Sequence, residues 1–560
     1  MSVTASSQLP RQLADSYVDV LISLDPALGT YLGVKESSPL LPDYSPTGYG
    51  NRADLTRETL TRLDEAEKQP GADSDVERRC ARLLRERLTA ELAVLEADEH
   101  LRTVSNLVSP VHEVRETFTI TPAETPADWA AIAQRLRAVP AALEGYRASL
   151  ELGLSRRLYG GPRATRTCVA QMTEWIGADG GWFAEFAADG PEELRAELDT
   201  AARTATDALT VLRDWMRDVY APAVADAPDT VGRERYARWT RYYNGTDLDL
   251  DEAYDYGWSE YRRLLAEMRV EAGKILPGAG PWETLAHLDQ HGQHIEGVEE
   301  VRRWLQELMD EAIEALDGTH FELADRVRKV ESRIAPPGSA AAPYYSAPSE
   351  DFSRPGRTWL PTMGATRFPV YDLVTTWYHE GVPGHHLQLA QWAHVADQLS
   401  RYQATVGGVS ANMEGWALYA ERLMDELGFL PDPERRLGYL DAQMMRACRV
   451  IVDIGMHLEL EIPGDAPFHP GERWTPELAE EFVRAHSGRP ADYVESELTR
   501  YLSLPGQAIG YKLGERAWLL GRENARKAHG DAFDAKAWHM AALSQGSLGL
   551  DDLVDELSKL

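Results

Sequence analysis

Apolar residues recur at helical spacing along most of the chain. In the segment before residue 96 they follow one another at steps of four, four and three residues, which places them on one face of a helix. These residues are Leu84, Leu88, Leu92 and Leu95. Similar stripes predict helices over about 126–157, 191–220, 251–275 and 296–316. The pattern therefore predicts a mainly α-helical fold.

The segment 330–370 has a different composition. It is dense in proline, glycine and serine, with short apolar or aromatic pieces between the turn residues, so we expect a small β-hairpin or irregular sheet there. Helical patterning resumes at Tyr371 and continues to the C-terminus, with breaks near Pro431, over 463–474 and at Pro505-Gly506. The change of pattern suggests a helical part over 1–330 and a second part over 331–560, within one continuous body.

The net charge limits the partners that the chain can bind. Its 560 residues include 90 acidic and 58 basic side chains, so the formal net charge is −32. Proteins that bind nucleic acid neutralise its phosphates with lysine and arginine, so this composition argues against nucleic acid as a partner. No run of about 18 apolar residues occurs, and we expect no contact with a membrane through a spanning helix. A monomer or a homodimer is expected.

Cysteine usage and the N-terminus bear on the cellular location. Cys80, Cys168 and Cys448 are far apart and form no CxxC pair, which argues against a disulfide framework and a thiolate zinc site. The first residues lack a basic segment followed by an uninterrupted apolar one, so we expect no signal peptide. Together these features predict a cytoplasmic protein.

Three histidines and a glutamate lie close together in the segment WYHEGVPGHHLQ. In the HExxH motif of zinc hydrolases, a step of four residues places two imidazoles on one helix face, and the glutamate beside the first histidine is the general base. Here Pro383, and not a histidine, stands four residues after His379. In an unbroken helix His385 would lie on the wrong face and His386 would lie two turns away.

The residues GVPG between the histidines are expected to interrupt the helix. If two of them are looped out, His379 and His385 recover the geometry of an i, i+4 pair, and we favour this pair as metal ligands. His386 is kept as the alternative ligand or as a substrate contact. A cluster of satisfied core histidines is the other interpretation. The dipeptide His112-Glu113 also occurs, without a following histidine, and we assign it no role.

A third ligand is expected from another helix. In the segment SANMEGWALYAE, Glu414 precedes an apolar run typical of a buried helix, and a buried carboxylate requires a cation. Glu421 lies seven residues later on the same face, where it could support a metal ligand or lie on the surface, and we favour the surface. Asp453 and His457, four residues apart, could form a carboxylate–histidine pair that supports the metal ligands, or a purely structural contact.

The segment ESELTRYLSLPGQAIGYKLG, over 495–514, contains the remaining candidates. Hydrolysis of an amide needs a donor aimed at the developing oxyanion, and a tyrosine hydroxyl is a common choice. Tyr501 and Tyr511 flank a Pro-Gly break and are the candidates for this role. Gln507 and Arg500 are candidates for binding polar groups of a substrate. For each of the four, a core aromatic residue or a surface polar residue is the alternative interpretation.

Five segments together resemble the bacterial family called domain of unknown function 885. In chain order they are HEGVPGHHLQ, NMEGWALYAERL, RACRVIVDIGMH, RYLSLPGQAIGYKLG and FDAKAWHMAALSQGSLGLDDL. The N-terminal SYVDVLISLDPALGTYLG also resembles the opening of that family, so the resemblance covers nearly the whole chain. The family is similar in fold to thermostable bacterial metallocarboxypeptidases and, more loosely, to thimet-like oligopeptidases. The resemblance implies a zincin-like, mostly helical body with a deep substrate channel.

The resemblance also implies roles for single residues. By position, His379, His385 and Glu414 correspond to the zinc ligands of those peptidases and Glu380 corresponds to the general base. Tyr511 is similar to a tyrosine near the C-terminus of the carboxypeptidases. The histidine spacing here is longer than in HExxH. Dipeptidyl peptidase III resembles it in part, because its histidine pair is one residue longer than HExxH, so an insertion is compatible with zinc binding.

The expected function is zinc-dependent hydrolysis of peptide bonds or related amides. Zn²⁺ would polarise a water molecule, Glu380 would take its proton, and Tyr511 or Tyr501 would stabilise the oxyanion. Tyr345 and other aromatic residues of the predicted hairpin would line the channel and pair with an extended substrate. One alternative is a metallohydrolase of a non-peptide amide or ester. The other is a catalytically silent helical binding protein.

Overall fold

The chain folds mainly into α-helices in a computed structural model that describes residues 8–177, 180–335 and 342–560. The helices in chain order are α1 Pro10–Leu24, α2 Pro26–Tyr31, α3 Pro46–Ala66, α4 Asp75–Glu96, α5 Pro110–Ile120, α6 Pro126–Ser155, α7 Pro162–Ile176, α8 Gly181–Ala188, α9 Arg195–Trp215, α10 Ala221–Val224, α11 Gly232–Asn244, α12 Leu250–Ile275, α13 Pro281–His291, α14 Val298–Leu316, α15 Val370–Glu380, α16 His385–His394, α17 Arg401–Ala404, α18 Ser410–Glu426, α19 Pro433–Leu458, α20 Pro476–Ala485, α21 Ala491–Ser503, α22 Gly510–His529, α23 Ala535–Leu543 and α24 Leu550–Lys559.

Each predicted apolar stripe corresponds to a helix, namely α6, α9, α12 and α14, so the prediction of a mainly helical fold is confirmed. Local capping explains where two of these helices begin. The hydroxyl of Thr125 accepts a hydrogen bond from the backbone N–H of Asp128 at the start of α6. The carboxylate of Asp249 accepts the first backbone N–H groups of α12 in the same way. In α4, Leu84 and Leu88 are fully buried, as their spacing predicts.

The strands are short and form two small sheets. They are β1 His294–Glu296, β2 Val330–Ile334, β3 Tyr344–Ser346, β4 Gly356–Leu360 and β5 Arg367–Pro369. β1 pairs with β5 in antiparallel orientation. In the other sheet the order is β2-β4-β3, with β2 parallel and β3 antiparallel to β4. The sheet predicted over 330–370 is therefore present, although the piece of that prediction over 336–341 lies outside the described residues.

The chain divides into two compact units. The first comprises 1–81, 88–231 and 496–504, and the second comprises 82–87, 232–495 and 505–560. The sequence suggested a division at residue 330 instead, and that division stays a prediction.

The first unit has an apolar core of its own, built mainly from α5 to α9. Buried members include Phe118, Leu136 and Tyr146. Arg135 is also fully buried there, and its guanidinium donates to the hydroxyl of Thr30 at 2.6 Å and to the carbonyl oxygen of Ser37 at 2.7 Å. These acceptors replace the water that a buried arginine loses.

The second unit is built around long helices. α12 packs along α19, α18 packs along α22, and α15 packs against both α18 and α19. Nearly all of α19 is buried, since its residues from 437 to 457 are inaccessible with only one exception. Within the described residues, no helix is both long enough and apolar enough to cross a membrane. The histidine segment lies on α15 and α16 of this unit.

Candidate metal centre

The histidine segment is broken between two helices. α15 ends at Glu380, α16 begins at His385, and the four residues between them form a turn in which the Val382–Pro383 peptide bond is cis. The backbone N–H of Gly384 donates to the carbonyl oxygen of Tyr378 at 3.0 Å, which closes the turn. The turn places the rings of His379 and His385 face to edge, with centroids 4.8 Å apart and planes at 87°.

This turn requires glycine at two positions, because a β-carbon at either one would overlap neighbouring atoms. A β-carbon on Gly381 would overlap the methyl group of Met309, and a β-carbon on Gly384 would overlap the carbonyl oxygen of His379. The glycines in HEGVPGHH therefore mark close approaches of the backbone. The predicted interruption of the helix is present at this position.

Glu414 reaches the two histidines from α18. Its Oε2 lies 3.4 Å from Nε2 of His379 and 3.4 Å from Nε2 of His385. One ligand atom from each of the three side chains lies within 4.8 Å of the other two, and among the described residues no other group of three His, Cys, Asp or Glu side chains is this close. The structure thus brings together the three residues that the sequence proposed as metal ligands.

The packing of α18 against α22 explains how Glu414 is placed. A β-carbon on Gly415 would overlap the backbone of Gly514, so the two helices approach to backbone contact at this point. Glu414 precedes one of these glycines, and Tyr511 lies one turn before the other. The close crossing therefore presents both side chains to the same region.

The geometry of the three side chains fits a small divalent cation. Two ligand atoms bound to Zn²⁺ at about 2.0–2.1 Å and at the tetrahedral angle are about 3.3–3.4 Å apart. The two 3.4 Å separations between Glu414 and the histidines match that spacing. In addition, Oε2 of Glu414 is buried and makes no hydrogen bond. A buried carboxylate oxygen without a donor is costly unless a cation balances it.

Electrostatics keep the Glu414 carboxylate ionised. Burial by itself would raise the pKa of this group, but the imidazoles of His379 and His385 outweigh burial and hold the pKa of Glu414 well below its usual value. The carboxylate is therefore available as an anionic ligand at any physiological pH.

Glu421 supports His379 from the opposite side of the ring. The Nδ1 N–H of His379 donates to Oε1 of Glu421 at 2.7 Å, while Oε2 accepts from the hydroxyl of Thr375 at 3.0 Å and from the amide of Gln443 at 3.2 Å. Because Nδ1 is engaged by Glu421, the ring is oriented with Nε2 toward Glu414, and Nε2 is the nitrogen available to a metal.

The surface position favoured for Glu421 is therefore wrong. The side chain is fully buried. The surface position follows from the general preference of charged helix residues for solvent, whereas the apolar run WALYA between Glu414 and Glu421 is the local signal for burial. The buried anion has three donors, so the cost of its desolvation is largely offset.

Glu380 follows His379 at the end of α15. Its side chain is almost buried, with 8% of the residue exposed, and burial raises the pKa of its carboxyl group. No hydrogen bond to this carboxylate occurs within the described residues. A carboxyl group with a raised pKa and free acceptor oxygens is suited to receive a proton.

Tyr511 lies parallel to His379. The centroids of the two rings are 6.5 Å apart and their planes differ by 17°. The guanidinium of Arg449 lies 4.6 Å from the centre of the Tyr511 ring. Gln507 precedes α22, the helix that carries Tyr511, and its amide nitrogen lies 3.4 Å from the hydroxyl of Ser410 at the start of α18. Two predicted residues of the C-terminal segment thus lie on or next to the helix that borders the metal ligands.

His386 does not join the ligand group. It is fully buried, its Nε2–H donates to the carbonyl oxygen of Val327 at 2.6 Å, and its Nδ1 accepts from the hydroxyl of Tyr345 at 2.9 Å. Burial lowers the pKa of this imidazole to about 4, so it stays neutral. With both nitrogens engaged, His386 is unsuited to the alternative role of ligand. Tyr345 is tied to His386, one residue from His385.

Asp453 and His457 contact each other, and Asp453 contacts the Pro-Gly break before Tyr511. Oδ2 of Asp453 accepts from the hydroxyl of Tyr236 at 2.8 Å and from the backbone N–H of Gly506 at 2.9 Å, and His457 lies 3.7 Å from the other oxygen. Asp453 therefore holds the Pro-Gly break that precedes Tyr511, and the role of the pair beside the metal ligands stays a prediction.

Tyr501 and Arg500 belong to the first compact unit. The hydroxyl of Tyr501 donates to Glu497 at 2.7 Å, and the guanidinium of Arg500 donates to both oxygens of the same carboxylate at 2.9 Å. Both side chains thus bond to their own helix, and their proposed roles at a substrate stay predictions.

The fold and the site define a mainly helical protein with two histidines and a glutamate converging in its second unit. The chain belongs to the family described as "Bacterial protein of unknown function (DUF885)", whose model matches residues 26–557. The structure is similar to that of a "putative lipoprotein" from Colwellia psychrerythraea, with a TM-score of 0.84, 20% identity and coverage of 98% of both chains. It is also similar to a "putative lipoprotein of unknown function" from Shewanella oneidensis, with a TM-score of 0.73, 18% identity and coverage of 98% of this chain and 99% of that one. No curated protein matches the chain.

The prediction of a cytoplasmic location is contradicted by these descriptions of the two proteins that share the fold. That prediction relied partly on low cysteine usage. Cys80, Cys168 and Cys448 are all free and buried, so the fold does not depend on the redox state of a compartment. The predicted cytoplasmic location is therefore wrong.

Proposed function

We propose that the protein is a zinc-dependent hydrolase of peptide bonds or related amides, of the metallocarboxypeptidase or oligopeptidase type. One observation carries the proposal: the ligand atoms of His379, His385 and Glu414 converge within 4.8 Å beside a buried glutamate. Two histidines and one carboxylate are the ligand set of many catalytic zinc sites, in which the fourth position stays open. A zincin-like arrangement of the helices and a deep substrate channel belong to this proposal.

The ligands are held ready for a cation by their own partners. Glu421 fixes the tautomer and the direction of His379, and the turn at GVPG fixes His385 beside it. Bound Zn²⁺ would supply Lewis acidity toward a carbonyl oxygen and toward water. The protein residues then determine which bond is attacked and where protons go.

Glu380 is the general base in this proposal. Burial raises the pKa of its carboxyl group, so it holds a proton more readily than an exposed glutamate does. It accepts a proton from the attacking water and returns it to the nitrogen of the departing amine. The raised pKa favours this role, since a base that binds a proton too weakly cannot carry it to the leaving group.

Tyr511 is the proposed donor to the carbonyl oxygen. Its ring is parallel to that of His379, and α22 holds it next to the ligand group through the close crossing with α18. A phenol hydroxyl at this position stabilises negative charge as it develops on the oxygen. β3 is an edge strand of its sheet, and its residue Tyr345 is hydrogen-bonded to His386. We propose that the free edge of β3 pairs with an extended substrate backbone.

The test combines metal analysis with turnover. Purified protein is reconstituted with Zn²⁺, its zinc content is measured, and cleavage of peptide libraries with free and blocked C-termini is followed for the wild type, for Glu380→Gln and for Glu113→Gln. The last variant is the control, because it alters the other His-Glu dipeptide of the chain. We expect one zinc ion per chain in all three proteins and loss of cleavage in Glu380→Gln alone.

The outcomes separate the alternatives. A wild type that takes up no zinc after reconstitution overturns the proposal. Zinc uptake with turnover of esters or non-peptide amides only identifies a different metallohydrolase. Zinc uptake and peptide binding without turnover in any of the three proteins identifies a silent binding protein.

A further inference from the structure

Trp416 joins the two motifs that form the candidate site. It lies on α18, two residues after Glu414, and is fully buried. The N–H of its indole is shared between two backbone carbonyl oxygens, that of Pro383 at 2.9 Å and that of Gly384 at 3.1 Å. Both carbonyls belong to the turn between His379 and His385. The helix that supplies the third ligand therefore also holds the turn that brings the first two together.

The indole has little freedom to move. Its ring packs edge-on against Trp518 at a centroid distance of 4.8 Å, and it also contacts Tyr419 at 5.3 Å and Phe321 at 6.4 Å. In a close-packed aromatic cluster a side chain is confined to one rotamer. The indole N–H is consequently a fixed point to which the turn is attached.

The spacing of the two histidines explains why the turn needs an attachment to α18. In an uninterrupted HExxH helix the i to i−4 hydrogen bonds set the distance between the two imidazoles. In this chain the helix is broken between them, and that constraint is absent. The indole N–H of Trp416 takes over the role of these hydrogen bonds. Because Trp416 and Glu414 lie on the same turn of α18, the N–H fixes the position of His385 relative to the third ligand.

We propose that Trp416 is the positioning residue that sets His385 against Glu414, an inference that rests on the proposed zinc site. Its role lies in the indole N–H and in its fixed direction. Removal of that N–H changes none of the three ligand residues, but the turn that positions His385 loses its attachment to α18.

The test compares two buried tryptophans. Trp416→Phe removes the N–H that holds the turn. Trp538→Phe removes an N–H of the same kind, because Trp538 is also buried and its indole donates to the carbonyl oxygen of Leu557 at 3.0 Å, away from the ligands. Both changes remove one indole N–H donor and the same side-chain volume. Three quantities are measured: thermal unfolding without metal, the Zn²⁺ dissociation constant by chelator competition, and the visible absorption of the Co²⁺-loaded protein.

We expect both variants to lose similar thermal stability. Only Trp416→Phe is expected to raise the dissociation constant for Zn²⁺, by about tenfold or more, and to alter the Co²⁺ spectrum. If Trp416→Phe does not fold, replacement of Trp416 by benzothienylalanine removes the N–H and keeps the size of the ring, with the same expectation.

A Zn²⁺ affinity of the Trp416 variant within twofold of that of Trp538→Phe, with an unchanged Co²⁺ spectrum, overturns this inference and leaves the proposed function standing. A wild type that takes up neither metal overturns both.

Discussion

The Nδ1 N–H of His379 donates to Glu421 at 2.7 Å, and this contact directs the other nitrogen of the ring toward Glu414. The Glu421 carboxylate is held in turn by Thr375 and by Gln443, whose own amide oxygen accepts from the ammonium group of Lys512 at 2.6 Å. Lys512 is an obligate donor, so it fixes which end of the Gln443 amide faces Glu421. The direction of one imidazole thus depends on a buried chain of hydrogen bonds between residues of four helices, α15, α18, α19 and α22.

Glu421→Gln is expected to weaken zinc binding by about 10–100-fold. An amide is a weaker acceptor than a carboxylate for the N–H of His379, and its NH₂ group faces donors at Thr375 and Gln443. The Zn²⁺ dissociation constant is measured by chelator competition. Glu426→Gln is the control, since Glu426 lies on the same helix and is bonded to Arg522 on the surface. Equal dissociation constants for the two variants would show that the contact does not support a metal ligand.

Glu380→Gln is expected to retain zinc and to lose turnover by about 10²–10⁴-fold, which is the usual contribution of a general base. The amide has nearly the same shape as the carboxylate but cannot accept a proton. Zinc content and kcat are compared with those of Glu113→Gln. Turnover of the Glu380 variant within a few-fold of that of the control would remove Glu380 from the mechanism.

Zinc affinity is expected to rise with pH. Burial lowers the pKa of His379, but Glu414 and Glu421 outweigh burial and raise it to about 9 in the metal-free protein. A histidine with a raised folded-state pKa contributes stability that is complete below its unfolded pKa of about 6.5 and is lost as pH rises through about 9. Zn²⁺ must replace the proton on Nε2, so binding becomes tighter up to about pH 9.

Two measurements check this expectation. The free energy of unfolding of the metal-free protein should lose the contribution of His379 between about pH 6.5 and 9. Calorimetric zinc titrations in buffers of different ionisation enthalpy should show that about one proton is released per ion at pH 7.5. An affinity that is constant between pH 7 and 9, with no proton release, would contradict the raised pKa.

The sequence predicted the helices and the ligand group because both follow from local patterns. Apolar residues at helical spacing set the positions of α6, α9, α12 and α14, and the GVPG segment predicted a break that would return His385 to His379. The burial of Glu421 and the engagement of both nitrogens of His386 depend on helices that are distant in sequence. The apolar run around Glu421 was a local signal for its burial, but a single sequence does not specify which helices pack together, so the partners of Glu421 and His386 could not be predicted.

Gly384→Ala is expected to destabilise the protein by about 1–3 kcal/mol, the usual cost of inserting a methyl group where there is no space. The added β-carbon would overlap the carbonyl oxygen of His379, so the turn must shift and zinc affinity should fall as well. The control is Gly273→Ala in α12, where the new methyl group meets no atom within 4 Å. Thermal unfolding and zinc binding are measured for both. A Gly384 variant as stable as the control would show that the turn can move without cost.

Asp453→Asn tests whether this residue supports a metal ligand or holds the Pro-Gly break before Tyr511. If Asp453 supported a metal ligand, the variant would lose zinc affinity. In the structure its carboxylate instead accepts from Tyr236 and from the backbone N–H of Gly506, just before the helix that carries Tyr511. We therefore expect unchanged zinc affinity and a loss of about 1.5–3 kcal/mol in the free energy of unfolding, because hydrogen bonds to a buried charge are weakened.

Turnover of Asp453→Asn should also fall, since the break at Gly506 sets where Tyr511 lies. The discriminating measurement is the dissociation constant for Zn²⁺ together with kcat. If zinc affinity and kcat both fall, Asp453 supports the metal ligands. If kcat alone falls, Asp453 acts by positioning Tyr511. The second result would also show that the segment around the Pro-Gly break is part of the site although none of its side chains is a metal ligand.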